Sequence, residues 1–132
     1  MDYNIEKLLE SLSKTKFRGS FHLNNKMKEY VKEKGIIKIE NDAKEIIIKR
    51  LASKYPLNDG RQTPMKQVHP VFIAQHATGC CCRGCLEKIH KIKKGHELND
   101  EELSYIIKII ISWIKKEIGE ENDNKEIIKR II

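Results

Sequence analysis

Residues 76–90, HATGCCCRGCLEKIH, concentrate the chemistry of this chain: His76, Cys80, Cys81, Cys82, Cys85 and His90. Thiolates and imidazoles are ligands that borderline metals choose. Zinc takes four of them in a tetrahedron, and Cys2His2 or Cys3His both satisfy it. Three thiolates and an imidazole would equally hold an iron–sulfur cluster. Cys82-x2-Cys85 is the spacing at which two thiolates from one turn reach one ion. His90 lies five residues beyond Cys85, so a bend or a second turn must bring it round, and His76 would arrive from a preceding helix. In a regular helix Cys85 shares a face with Cys81 and with Cys82, yet one turn cannot aim all three at one ion without distortion.

Two other readings of the same residues stand beside the metal. Cysteines are small, commonly buried hydrophobes, and a helical core packs them readily. Cys82-Arg83-Gly84-Cys85 is also a Cys-x-x-Cys at the expected start of a helix, where a helix N-terminus and an arginine make a thiolate reactive. The βαβ pattern of thioredoxin-like proteins is absent around it. Further candidates lie just upstream. His69 precedes a proline, where it can cap a helix or serve as a general base. In LNDGRQTPMKQ, Asp59, Arg61, Gln62 and Thr63 are suited to hydrogen-bonding a phosphate, a sugar or a base edge. Asp59 could also ligate a hard cation, although an Asp-Gly pair is first of all a turn. His22 and His96 read as surface residues.

The elements that must position these groups are helical throughout. Apolar residues recur at spacings of three and four over 3–14, through MKEYVKEK with Asn24 or Asn25 as its cap, and over 36–55. Residues 56–70 carry three prolines and an Asp-Gly and form the one long loop. Two short helices follow. VFIAQHA has Pro70 in its first turn and ends at Thr78-Gly79; the second runs from about Cys82 to Ile92 and is closed by KKG. The clearest helix covers 97–118. Asn99 and Glu102 form a capping-box start, and Ile106, Ile109, Ile110, Trp113 and Ile114 form the buried face. A terminal helix is expected within 119–132, over 124–132. The chain is thus expected to be all-α: a small single-domain helical protein over 1–132, of five to seven helices, with a Cys/His-rich helix-turn-helix segment.

Of the 132 residues, 39% are hydrophobic and 34% charged, and the net charge is +7. Residues 61–95 carry +6, with Glu87 as the one acid, whereas 96–132 carry −3. Arg61, Lys66, Arg83, Lys88 and Lys91 in the basic segment would suit nucleic acid or another anionic ligand. No apolar run approaches the ~20 residues of a membrane span. MDYNIEKLLES holds two acids among its first six residues and no apolar leader segment, so a cytoplasmic location with reduced cysteines is expected.

NDGRQTP (58–64), HPVFIAQHAT (69–78), CCRGCLEKIH (81–90), KKG (93–95) and the helix over 98–114 resemble short bacterial proteins of the family catalogued as domain of unknown function 4186. The likeness runs from about 17 to 114. It implies a shared site at Asp59, Gln62, Pro64, His69, Gln75, His76, Cys81, Cys82, Cys85 and His90, without naming a reaction. Cys80 stands where that family tends to carry a hydroxyl or small residue, and His96 lies outside the pattern.

These readings lead to a metal-binding protein whose ligands are drawn from His76, Cys81, Cys82, Cys85 and His90, with zinc or an iron–sulfur cluster as cofactor. Three alternatives stand beside it: a nucleic-acid-binding protein, a metal-dependent hydrolase with His69 or Asp59 as the proton carrier, and a Cys-x-x-Cys redox protein.

Overall fold

A nine-residue helix stands at the centre of this fold. The computed structural model describes residues 2–119. In chain order they form α1 (Asp2–Ser13), a 3-10 turn (Arg18–Ser20), α2 (Asn25–Lys34), α3 (Ile36–Arg50), α4 (Pro70–Thr78), α5 (Arg83–His90) and α6 (Asp100–Ile118). The described residues contain no strand and form one small all-α domain, as expected. The helix expected over 124–132 lies outside them.

Every residue of α4 except Phe72 is buried. The helix packs against α1, α2, α3, α6 and the 3-10 turn. A helix that is apolar on nearly all sides belongs inside such a ring. Its ends are set locally. The His69 imidazole accepts the Val71 N–H, Pro70 opens the first turn, and Gly79 stops the helix in the left-handed conformation at φ 75°.

α6 is the longest wall of the core. Both halves of the Asn99–Glu102 capping box are formed. Asp100, Glu101 and Glu102 sit in its first turn and Lys115 and Lys116 in its last, which complements the helix dipole. Ile106, Ile109, Ile110 and Ile114 are fully buried, each contributing about 2 kcal/mol of burial before entropy is counted. Ile107 and Ile111 are buried too, while Trp113 is only partly so. The face is wider than the expected stripe because α1, α2, α3 and α4 all pack on this helix.

Two expected boundaries move. α3 stops at Arg50 and does not run on to 55. The Leu51 and Ser53 carbonyls turn to Arg83 (3.2 and 2.8 Å), and the Ala52 carbonyl accepts the Leu98 N–H at 2.9 Å. α5 closes at Lys91, φ 62°, ahead of KKG, as the chain turns to bury Ile92.

Arg83 is buried, so its expected role toward nucleic acid is corrected. Beyond Leu51 and Ser53, its guanidinium donates to the carbonyls of Lys93 (3.2 Å) and His96 (2.8 Å). It ties the end of α3 to the α5–α6 connection and has no face left for a phosphate.

Candidate metal centre

The cysteines are brought together by a change of backbone conformation between α4 and α5. Gly79 turns the chain, and a Cβ there would stand 2.4 Å from Ile89 Cδ1, so the turn lies directly against an α5 side chain. The Thr63 hydroxyl donates to the Cys81 carbonyl at 2.7 Å. Cys82 is extended (φ −158°, ψ 166°) and caps α5; its Sγ accepts the Cys85 N–H at 3.4 Å. Only Cys85 is inside the helix, which removes the conflict expected of three cysteines on one helical turn. Cys82 Sγ and Cys85 Sγ are 3.2 Å apart. The three sulfurs of Cys81, Cys82 and Cys85 all lie within 4.8 Å of one another. Burial raises the pKa of the Cys82 thiol, and the neighbouring Cys85 sulfur adds to the rise.

A cation from a distant segment meets these sulfurs. Arg18 Nη1 donates to Cys81 Sγ at 3.4 Å and to the His76 carbonyl at 2.7 Å; Nη2 donates to Cys85 Sγ at 3.2 Å. Burial opposes its charge, but the two sulfurs outweigh burial and hold its pKa above the usual arginine value. Gly19 makes this placement possible. A Cβ there would come 2.2 Å from the Ser13 carbonyl oxygen, so the Arg18–Ser20 turn can lie on the end of α1 only with glycine at 19. Sequence reasoning gave Arg18 no role, because nothing in the chain around it points to the cysteines.

One family model matches residues 6–115. This chain belongs to that family, described as Domain of unknown function (DUF4186). No solved structure matches it. The DUF4186 match begins earlier than the resemblance near residue 17 suggested. It takes in most of α1, whose Ile5 and Leu9 join the core.

Within the DUF4186 region, neither expected histidine ligand joins the thiol group. His76 Nε2 faces the Thr63 carbonyl at 3.0 Å, and its ring stacks on Phe21 at 5.3 Å. His90 Nε2 faces the Thr78 carbonyl at 2.7 Å and Cys80 Sγ at 3.5 Å, while Nδ1 meets the Tyr105 hydroxyl at 3.0 Å. Both rings are claimed by carbonyls, that of Thr63 in the loop before α4 and that of Thr78 at the C-terminal end of α4. Cys80 is fully buried beside His90, and burial pushes its thiol up to about 12.

The other expected site residues lie apart from the three sulfurs. His69 sits at the N-terminus of α4, roughly 14 Å along the helix from the cysteine turn. Its Nδ1 holds the cap and its Nε2 faces Asp42 at 3.1 Å. Asp59 is exposed and accepts from Gln62 Nε2 at 3.2 Å, and Gln62 Oε1 accepts the Gly60 N–H. Gln75 is fully buried and donates to the Cys80 carbonyl at 3.1 Å. Gln62, Thr63, Gln75 and His76 thus brace the loop and the cysteine turn against α4. Arg61, Lys66, Lys88 and Lys91 are exposed.

Proposed function

We propose that this protein binds a single zinc ion through Cys81, Cys82 and Cys85. The observation that carries the reading is the grouping of three sulfurs within 4.8 Å. Zinc–sulfur bonds of about 2.3 Å in a tetrahedron place sulfurs about 3.8 Å apart, between the 3.2 Å of the Cys82–Cys85 pair and that limit. Side-chain adjustments of about half an ångström suffice. Iron–sulfur clusters spread their thiolates over several irons, so this compact set supports one ion better. Three thiolates on a dication leave one negative charge, which the Arg18 guanidinium offsets from the outer shell. With His76 and His90 turned elsewhere, a fourth ligand would be water or a small molecule, as in zinc sites that keep an open position.

The test is the metal content and absorbance spectrum of untagged protein purified anaerobically under reducing conditions. The expected result is colourless protein with about one zinc per chain. Cys82→Ser and Cys85→Ser should lose that zinc, and His90→Gln should keep it. Metal far below one equivalent would overturn the proposal, and a brown protein would replace zinc with an iron–sulfur cluster.

A further inference from the structure

We propose that Cys85 and Cys82 form a site that reduces hydroperoxides and closes a disulfide incompatible with bound metal. Only the clause about metal rests on the zinc reading; the sulfur couple stands independently of it. Cys82 Sγ and Cys85 Sγ already touch at 3.2 Å, both thiols are free, and both residues are half-buried and so reachable from solvent. Cys80 and Cys81 are buried, which leaves this pair to meet an oxidant first. Closing the bond needs the sulfurs to approach from 3.2 Å to about 2.05 Å.

Arg18 assigns the order of the two sulfurs. Its Nη2 donates to Cys85 Sγ at 3.2 Å, whereas Cys82 Sγ receives neutral donors, among them the Cys85 backbone N–H at 3.4 Å. Cys85 Sγ attacks the terminal oxygen of the hydroperoxide. The O–O bond breaks, and the departing oxygen leaves as an alcohol, or as water from hydrogen peroxide, carrying the Cys85 thiol proton. The guanidinium faces the negative charge that develops on that oxygen. Cys85 is now a sulfenic acid. Cys82 Sγ attacks its sulfur, the S–S bond forms, and the hydroxyl leaves as water with the Cys82 proton. Two sulfurs give up two electrons and the peroxide accepts them. Two equivalents of a low-molecular-weight thiol restore the pair. Sulfurs joined in a disulfide cannot ligate as thiolates, so oxidation and metal occupancy exclude each other.

The experiment treats full-length protein, zinc-free and zinc-loaded, with hydrogen peroxide. Mass mapping follows the thiols and a zinc-sensitive dye follows the metal. The expected product is a Cys82–Cys85 disulfide, with zinc released in step with it. Cys82→Ser should stall as a sulfenic acid on Cys85, trapped by a 1,3-diketone. Arg18→Gln should slow oxidation about tenfold, the loss of one charge-assisted hydrogen bond, with Arg18→Lys between the two. Absence of the disulfide in zinc-free protein, or a sulfenic acid trapped on Cys82 in Cys85→Ser at the wild-type rate, would overturn the couple. Zinc retained by fully oxidised protein would overturn the exclusion. A disulfide in protein that takes up no zinc would support the couple and sink the metal reading alone.

Discussion

Arg18 and Arg83 carry the same group and use it in opposite ways. The Arg83 guanidinium is buried and spends its two Nη groups on four carbonyls, those of Leu51, Ser53, Lys93 and His96. Arg18 spends part of its charge on two sulfurs. We expect Arg83→Leu to cost about 2 kcal/mol or more, because one buried and three part-buried carbonyls lose the donor that ties them together. Arg83→Lys should recover little, since one ammonium cannot span the fork. Urea denaturation of the metal-free proteins checks both, and a midpoint within error of wild type would show that these carbonyls are satisfied by water. Neither role was legible from sequence. Arg83 sits inside a Cys-x-x-Cys, which drew it toward thiol or nucleic-acid chemistry, and nothing local announces four carbonyls folding over it. Arg18 stands 63 residues before Cys81, so no spacing rule could join them.

At the scale of elements, the joints decide where the chemistry falls. The Arg18–Ser20 turn rests on the end of α1, and the missing Cβ of Gly19 is what lets it close. Gly19→Ala should lift that turn and draw Arg18 away from the sulfurs. The expected outcome is zinc affinity reduced several-fold and slower peroxide oxidation, with helical content by circular dichroism unchanged. Wild-type affinity and oxidation rate in that variant would mean the turn does not set Arg18. Helix starts were the most legible joints. Asn24, His69 and Asn99 each cap the helix they precede because their side chains reach the first free N–H groups. Helix ends were harder. α3 carries a helical pattern past Arg50, but its next carbonyls are claimed by Arg83 and Leu98, and those partners come from distant chain.

For the whole molecule, the buried histidines set a pH dependence. Burial lowers the pKa of His76 and of His90 below the ordinary 6.5. Backbone carbonyl hydrogen bonds oppose this in part, and the Arg18 charge adds to it. The unfolded chain therefore binds protons near pH 6.5 that the folded chain refuses. Stability should be level above that value and fall as pH drops through it toward the folded pKa values. Asp42 and Glu102, whose pKa values are lowered from 3.8 and 4.5, act only at more acid pH, where protonation removes their contribution. Urea midpoints of metal-free protein at about pH 7.5 and about pH 5.5 should show the acid sample less stable. An equal or higher midpoint at acid pH would contradict the burial of these rings.

The sequence by itself determined the helical class, the order of the helices, most of their starts and the segment that carries the thiols. These follow from apolar spacing and capping, which act between residues a few positions apart. Only the tertiary structure decided which of six Cys and His residues meet. It gathered Cys81, Cys82 and Cys85, turned His76 and His90 to carbonyls, buried Cys80 and delivered Arg18. Which side chains meet depends on the direction each takes along the turn between α4 and α5. That direction is fixed by long-range packing around a buried helix, which spacing along the chain does not encode.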